Sequence, residues 1–178
     1  MRKLKLGELG RLSPEEYART EKLPLVLVLD NIRSALNIGS IFRTADAFAI
    51  RELVLCGITA RPPHREMLKT ALGATETVAW RYFENTTEAL EQLRSEGHLI
   101  VAIEQTTESI PLHRFNPTPG RPCACVLGNE VKGVSEQAIP LCDLGIEIPQ
   151  FGTKHSLNVA VCAGIVCWEF LCKYKGWT

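Results

Sequence analysis

The chain has 178 residues, 46% of them hydrophobic, and a formal net charge of zero. That length fits one domain with a real core, and the charge excludes a global basic field, so a nucleic-acid partner would have to be met by local patches. The seven cysteines, the absence of an apolar leader before the first strand and the lack of any apolar run long enough to span a bilayer point to a cytoplasmic chain with free thiols and no membrane partner.

Residues 1–22 read as a polar N-terminal extension and residues 23–178 as the single domain. In the extension, Ser13-Pro14-Glu15-Glu16 marks a helix start, with Ser as cap, Pro at the first position and Glu16 closing a capping box. The short helix bears Tyr17, Arg19 and Lys22 and suits either a solvated arm or an arm that touches a polyanion. Leu25 to Leu29 is a continuous apolar run, as expected of a buried parallel strand. Asp30 to Ser34 leaves it as a polar loop, and Asn37 opens a helix running to about Phe48. Ile38, Ile41, Phe42 and Ala45 form its apolar stripe, and Arg43 falls off that stripe.

Glu52 to Cys56 reads as a second buried strand. Pro62-Pro63 precedes a basic helix with His64, Arg65 and Lys69. Thr77 to Tyr82 is expected as a third strand, Thr86 to Ser95 as an amphipathic helix capped by Thr86 or Thr87, and His98 to Ile103 as a fourth strand. The Pro-rich stretch from Thr106 to Pro122 reads as a surface excursion without an element. Cys123 to Leu127 is the fifth strand, followed by the loop Gly128 to Ser135 and a short helix to Ile139. Cys123 and Cys125 point the same way along that strand, but no second Cys or His pair accompanies them, so no metal site is expected.

The last strand, Leu144 to Ile148, ends at Pro149. A loop with Gly152, Lys154 and His155 follows, and Ser156 stands where a helix cap is expected. Leu157 to Phe170 is nearly all apolar, which fits a helix buried in the core or against a second subunit. Asn158, a poor helix former in the first turn, calls for a reason of its own.

Strands alternate with helices, and most strands are apolar on both faces. The fold class is therefore α/β, a mainly parallel sheet with helices on both faces. Ligands of such sheets bind at the carboxyl ends of strands, and polar loops follow the strands ending near Leu29, Leu127 and Ile148. No G-x-G-x-x-G follows a strand, and Gly128 to Gly133 lacks the Lys-Ser of a phosphate-binding loop. Ser156 has no G-x-S-x-G setting, and its neighbour His155 gives no triad geometry.

Three clusters gain specificity together: Asn37-x-Gly39-x-x-x-Arg43-Thr44-Ala45, Leu127-Gly128-Asn129-Glu130-x-x-Gly133-x-Ser135, and Ile148-Pro149 with Ser156-Leu157-Asn158-Val159. In this order they resemble the three motifs of the TrmH/SpoU branch of the SPOUT RNA methyltransferases, over roughly residues 25–171. Gln150 departs from the family's usual Met after Ile-Pro, and Ala160 stands where many members have a second Ser. The resemblance implies S-adenosyl-L-methionine-dependent methylation of a ribose 2′-hydroxyl of RNA; the motifs do not name the RNA, and tRNA is preferred here over rRNA. It also implies a C-terminal deep trefoil knot, which general topology rules would not suggest, and an obligate homodimer.

Carried over position by position, the resemblance puts Asn37, Arg43, Glu130, Ser156 and Asn158 at the catalytic end. It puts Leu127, Gly128, Ile148, Pro149 and Leu157 around the cofactor. Arg43 is expected to grip a phosphate and steady the forming alkoxide, because a guanidinium stays protonated at ordinary pH, with a literal base role as the lesser option; taken alone, it reads as a surface arginine. Gly128 is expected to let backbone approach the adenosine. No DNA is expected as a partner. The alternative is a non-catalytic RNA-binding or ribosome-assembly protein that kept the fold, and cofactor binding would separate the two.

Overall fold

A computed structural model describes residues 1–177 of the chain. Its strands are β1 (Leu23–Asp30), β2 (Ile50–Cys56), β3 (Trp80–Phe83), β4 (Leu99–Ile103), β5 (Ile110–Pro111), β6 (Cys123–Leu127) and β7 (Leu144–Glu147). Its α-helices are α1 (Pro14–Arg19), α2 (Ala35–Ala47), α3 (Arg65–Ala71), α4 (Ala74–Thr77), α5 (Thr86–Ser95) and α6 (Val159–Lys175). The strands form one sheet in the order β3-β2-β1-β6-β4-β7-β5, and every pairing is parallel.

The alternation of side chains along β1 divides the core. Leu25, Leu27 and Leu29 join the cluster that α2 and α6 cover, with Ile38, Phe42, Val166 and Phe170. Val26 and Val28 join the opposite cluster, with Ala89, Leu90 and Leu93 of α5. Period-two geometry sends neighbouring residues to opposite faces, so an unbroken apolar run requires helices on both sides, as observed. Phe170 is fully buried and its ring lies 5.5 Å from that of Phe115.

Several boundaries differ from the sequence reading. Thr77, expected to begin the third strand, ends α4 instead, and the strand covers Trp80–Phe83. Asn85, not Thr86 or Thr87, caps α5, because the Thr86 hydroxyl is buried and donates to Asp30 at 2.6 Å. The helix expected before Ile139 is a single 3-10 turn at Ile139–Leu141. The Thr106 to Pro122 excursion does contain an element: β5 pairs with β7 through Ile110 and Pro111, a strand too short to leave a periodic signal.

That pairing has a topological consequence. β7 sits between β4 and β5, so it lies inside the segment that leaves β4 and returns to β6. The buried ammonium of Lys173 on α6 donates to the Leu112 carbonyl at 2.9 Å and to the Phe115 carbonyl, tying the excursion to the last helix. Its charge is met by Glu169 one turn earlier, at 3.1 Å.

The capping box of α1 is present as expected, with Ser13 and Glu16 bonded reciprocally. Its Tyr17 is buried, so the helix is seated on the domain through that ring. The seven cysteines are free thiols. Among the described residues no His, Cys, Asp and Glu grouping could hold a metal ion, and no helix is long and apolar enough to cross a membrane.

Candidate functional site

The loops after β1, β6 and β7 meet at the carboxyl edge of the sheet. Glu130, in the loop after β6, lies at the N-terminal end of α2. Its carboxylate accepts the N–H groups of Arg33 at 2.9 Å and Ser34 at 3.1 Å, and the Asn37 side-chain amide at 3.0 Å. A carboxylate suits this position because it faces the positive, N-terminal end of the α2 dipole. Burial pushes the Glu130 pKa up, but the N–H donors of Arg33, its own backbone, Asn37 and Ser34 outweigh that effect and hold it below the ordinary carboxylate value. Glu130 is therefore an ionised acceptor at neutral pH.

Asn37 extends the connection. Its side-chain oxygen accepts from Asn158 Nδ2 at 3.2 Å, while Asn158 Oδ1 accepts the N–H groups of Ala160 at 2.9 Å and Val161 at 3.3 Å. Asn158 is thus the N-cap of α6, which supplies its reason for being there and corrects the expectation that Ser156 caps the helix. One amide joins all three polar loops: Glu130 to Asn37 to Asn158.

Beside this connection lies a cavity of about 510 Å³, lined by Leu127, Gly128, Ile148, Ser156 and Leu157 among others. Ser156 is exposed and lines the cavity without a side-chain hydrogen bond among the described residues. Pro149 is exposed and does not line it, although both its neighbours, Ile148 and Gln150, do. Arg43 lies outside the lining as well. It sits on the exposed face of α2 with Leu36 and Ala47, at helical spacing, and makes no ion pair among the described residues.

Gly128 lines the cavity and also carries a structural constraint of its own. A Cβ there would overlap the backbone of Gly133 and Val134, so glycine permits the loop to fold back on the end of β6. The loop is closed by reciprocal Asn129–Gly133 bonds of 2.9 Å. Gly133 has φ +70°, which favours glycine. Replacing Gly128 would disturb the loop itself, not only a ligand against it.

Two carboxylates that the motifs did not single out hold the same edge. Asp30, fully buried at the end of β1, accepts from Thr86 at 2.6 Å, Asn31 Nδ2 at 2.8 Å and the Ser135 N–H at 2.7 Å. Glu104, just after β4, accepts the N–H groups of Val134 at 3.0 Å and Gln105 at 2.9 Å and lines the cavity. An acid at the carboxyl end of an apolar strand was the available signal for both. Gln105 also donates to the His155 carbonyl at 2.8 Å, fixing the loop after β7 across the cavity. Cys162 lines the cavity too, but burial pushes its thiol up to about 11, leaving it a neutral wall.

Residues 24–168 match the model of the SpoU rRNA Methylase family. The chain belongs to that family. It is 34% identical over 146 residues to the 23S rRNA (guanosine-2′-O-)-methyltransferase RlmB of Neisseria meningitidis serogroup B, covering 82% of this chain and 57% of that protein. The SpoU domain thus spans somewhat over half the length of that relative. The structure of the A. aeolicus TrmH/SpoU tRNA modifying enzyme superimposes with a TM-score of 0.81 at 26% identity, over 92% of this chain and 82% of that one. The AdoMet-bound rRNA methyltransferase from Sinorhizobium meliloti superimposes with a TM-score of 0.76 at 26% identity, over 85% and 60% of the two chains.

Proposed function

We propose that the chain is an S-adenosylmethionine-dependent methyltransferase acting on a ribose 2′-hydroxyl of RNA. The observation that carries this reading is the Glu130–Asn37–Asn158 connection, which draws the three motif loops together beside one cavity. Motif residues that had lost their task would not need to stay in mutual contact. The cavity suits the cofactor chemically. Leu127, Ile146, Ile148 and Leu157 give apolar walls for an adenine, while Glu104 and Gln105 give an acceptor and a donor for hydroxyls and an ammonium.

The cofactor supplies a methyl group on a sulfonium sulfur. Positioning then does most of the work that the protein must do. Glu130, Asn37 and Asn158 are occupied with one another, so they act as positioning residues that hold the loops in register. The free Ser156 hydroxyl at the cavity is available to a ribose. Arg43 grips the neighbouring phosphate and steadies the alkoxide as the 2′-hydroxyl gives up its proton.

Arg43 lies outside the cavity lining of its own chain, which supports a homodimer as the working form. Val161, Ile165 and Trp168 follow one another at helical spacing on α6 and are 54%, 38% and 51% exposed. Trp168 lies 6.1 Å from Phe48 at the end of α2. A two-fold contact on this apolar face would bring the Arg43 face of α2 to the interface. The passage of β7 between β4 and β5, with α6 tied to the excursion by Lys173, supports the trefoil knot. Seven free thiols suit a reducing cytoplasm. The TM-score of 0.81 to the A. aeolicus tRNA modifying enzyme supports tRNA as substrate.

The deciding experiment is calorimetric titration with S-adenosylmethionine, followed by mapping of ribose methylation lost on deletion. We expect saturable binding and one lost tRNA position. A folded chain that takes no cofactor would point instead to a non-catalytic RNA-binding role.

A further inference from the structure

A second cavity, of about 920 Å³, opens on the other side of the Asn129–Gly133 loop. The two cavities share that loop as a wall: Asn129, Val131, Lys132, Gly133 and Val134 border both. Arg33 and Ile58 border only the second. We infer that this cavity seats an unpaired nucleotide of the RNA that flanks the methylated one. The inference rests on the methyltransferase reading for what lies across the wall.

The chemistry of the lining carries the assignment. Ile58 and Val131 are 66% and 74% exposed at the cavity. Two branched apolar side chains left in water there offer a surface for the flat face of a base. Arg33 and Lys132 add two cations, while the Asn31 and Asn129 side chains are spent on Asp30, Ile58, Val131, Lys132 and the Asn31 carbonyl and shape the wall. The carboxylates nearby are accounted for. Asp30 is spent on Thr86, Asn31 and the Ser135 N–H, and Glu130 is spent on Arg33, Ser34 and Asn37. Glu136 alone borders the cavity as an exposed acid. A chain of zero net charge has no general attraction for a polyanion, so local cations must supply it.

The sheet order gives the cavity a direction. β2, β1 and β6 are consecutive neighbours, so the loops bearing Ile58, Arg33 and Lys132 follow one another along the carboxyl edge. Beyond β2 the same edge continues to Arg61, whose guanidinium lies 4.3 Å over the Tyr82 ring. A strand of RNA laid along this edge would meet Arg61, the Ile58–Arg33–Lys132 cavity and then the cofactor wall in that order.

The backbone makes the test clean. The N–H groups of Arg33, Ile58 and Lys132 bond to Glu130, Asn31 and Asn129 side chains respectively. Alanine at each position keeps those bonds and removes only the side chain. The probe is a fluorescent single-stranded RNA of mixed sequence, read by anisotropy across a salt series, with S-adenosylmethionine calorimetry on every variant. Arg33→Ala and Lys132→Ala should each weaken RNA binding and reduce the salt slope by about 0.7, the single-strand value per cation. Ile58→Ala should weaken binding several-fold with the slope unchanged, and Glu136→Gln should tighten it. Cofactor affinity should stay at the wild-type value in Arg33→Ala, Ile58→Ala and Glu136→Gln, which lie outside the cofactor cavity, whereas Lys132→Ala, which borders both cavities, is read for RNA alone. Wild-type RNA affinity and slope in Arg33→Ala and Ile58→Ala would overturn the nucleotide seat while leaving the methyltransferase reading in place. The expected RNA effects in a chain that takes no cofactor would retain the seat and overturn the enzyme.

Discussion

Arg43 and Glu130 are both charged residues of the motifs, yet they do opposite things. Arg43 is exposed and makes no side-chain hydrogen bond or ion pair among the described residues, whereas Glu130 is held by three donors at and just before the start of α2. Arg43→Ala should therefore leave S-adenosylmethionine affinity nearly unchanged and collapse single-turnover methylation of the mapped RNA. Arg43→Lys should rescue poorly, because a point-charge ammonium lacks the guanidinium fork. Loss of cofactor binding in Arg43→Ala would reassign the residue to the cavity. Glu130 predicts a pH dependence. Its folded-state pKa is depressed, so its stabilising contribution is complete above the ordinary carboxylate range, about 4, and is lost as pH falls through the depressed value. Denaturant titrations should show wild type more stable than Glu130→Gln at neutral pH, with the gap closing only in strong acid. A gap of constant size down to low pH would assign the effect to shape instead of charge.

At the scale of an element, α6 depends on one side chain for its beginning. Asn158 accepts two of the helix's unpaired N–H groups, and Gly176 ends it in the left-handed conformation. Asn158→Ala should cost about 1 kcal/mol of stability through the lost cap. Ser156→Ala, two residues earlier, should leave stability unchanged and affect only turnover. Thermal unfolding of the two variants side by side checks this, and equal destabilisation would restore Ser156 as part of the cap. The same amide also touches Asn37, so the start of α6 and the start of α2 are fixed in one step. An error at either helix start would spread to both.

For the whole molecule, the exposed stripe of Val161, Ile165 and Trp168 is the feature a single chain leaves unexplained. Such a surface beside an exposed Trp177, 61% accessible, would be a liability in a monomer. Sedimentation at micromolar concentration should give a dimer, and Ile165→Asp combined with Trp168→Glu should give a folded monomer without turnover. A wild-type monomer, or a fully active monomeric variant, would remove the dimer from the mechanism.

Much of this was legible in order along the chain. The apolar run through Leu25–Leu29 required a strand covered on both faces, the Ser13–Glu16 box placed α1, and the polar residues after Leu29, Leu127 and Ile148 marked the edge where the site lies. These are local properties, set by side-chain periodicity and backbone capping, which the sequence carries residue by residue. The pairing of β5 with β7 was not legible, because two residues make no period. Nor was Asn158 as the true cap, since Ser156 offered the same local chemistry and only the proximity of Asn37, 121 positions away, favours the other. Gly128 was expected to admit the adenosine; that the backbone of Gly133 and Val134 also requires glycine there was not legible. What tertiary structure alone decided is which polar groups meet, because a hydrogen bond depends on distances that folding sets and sequence separation does not.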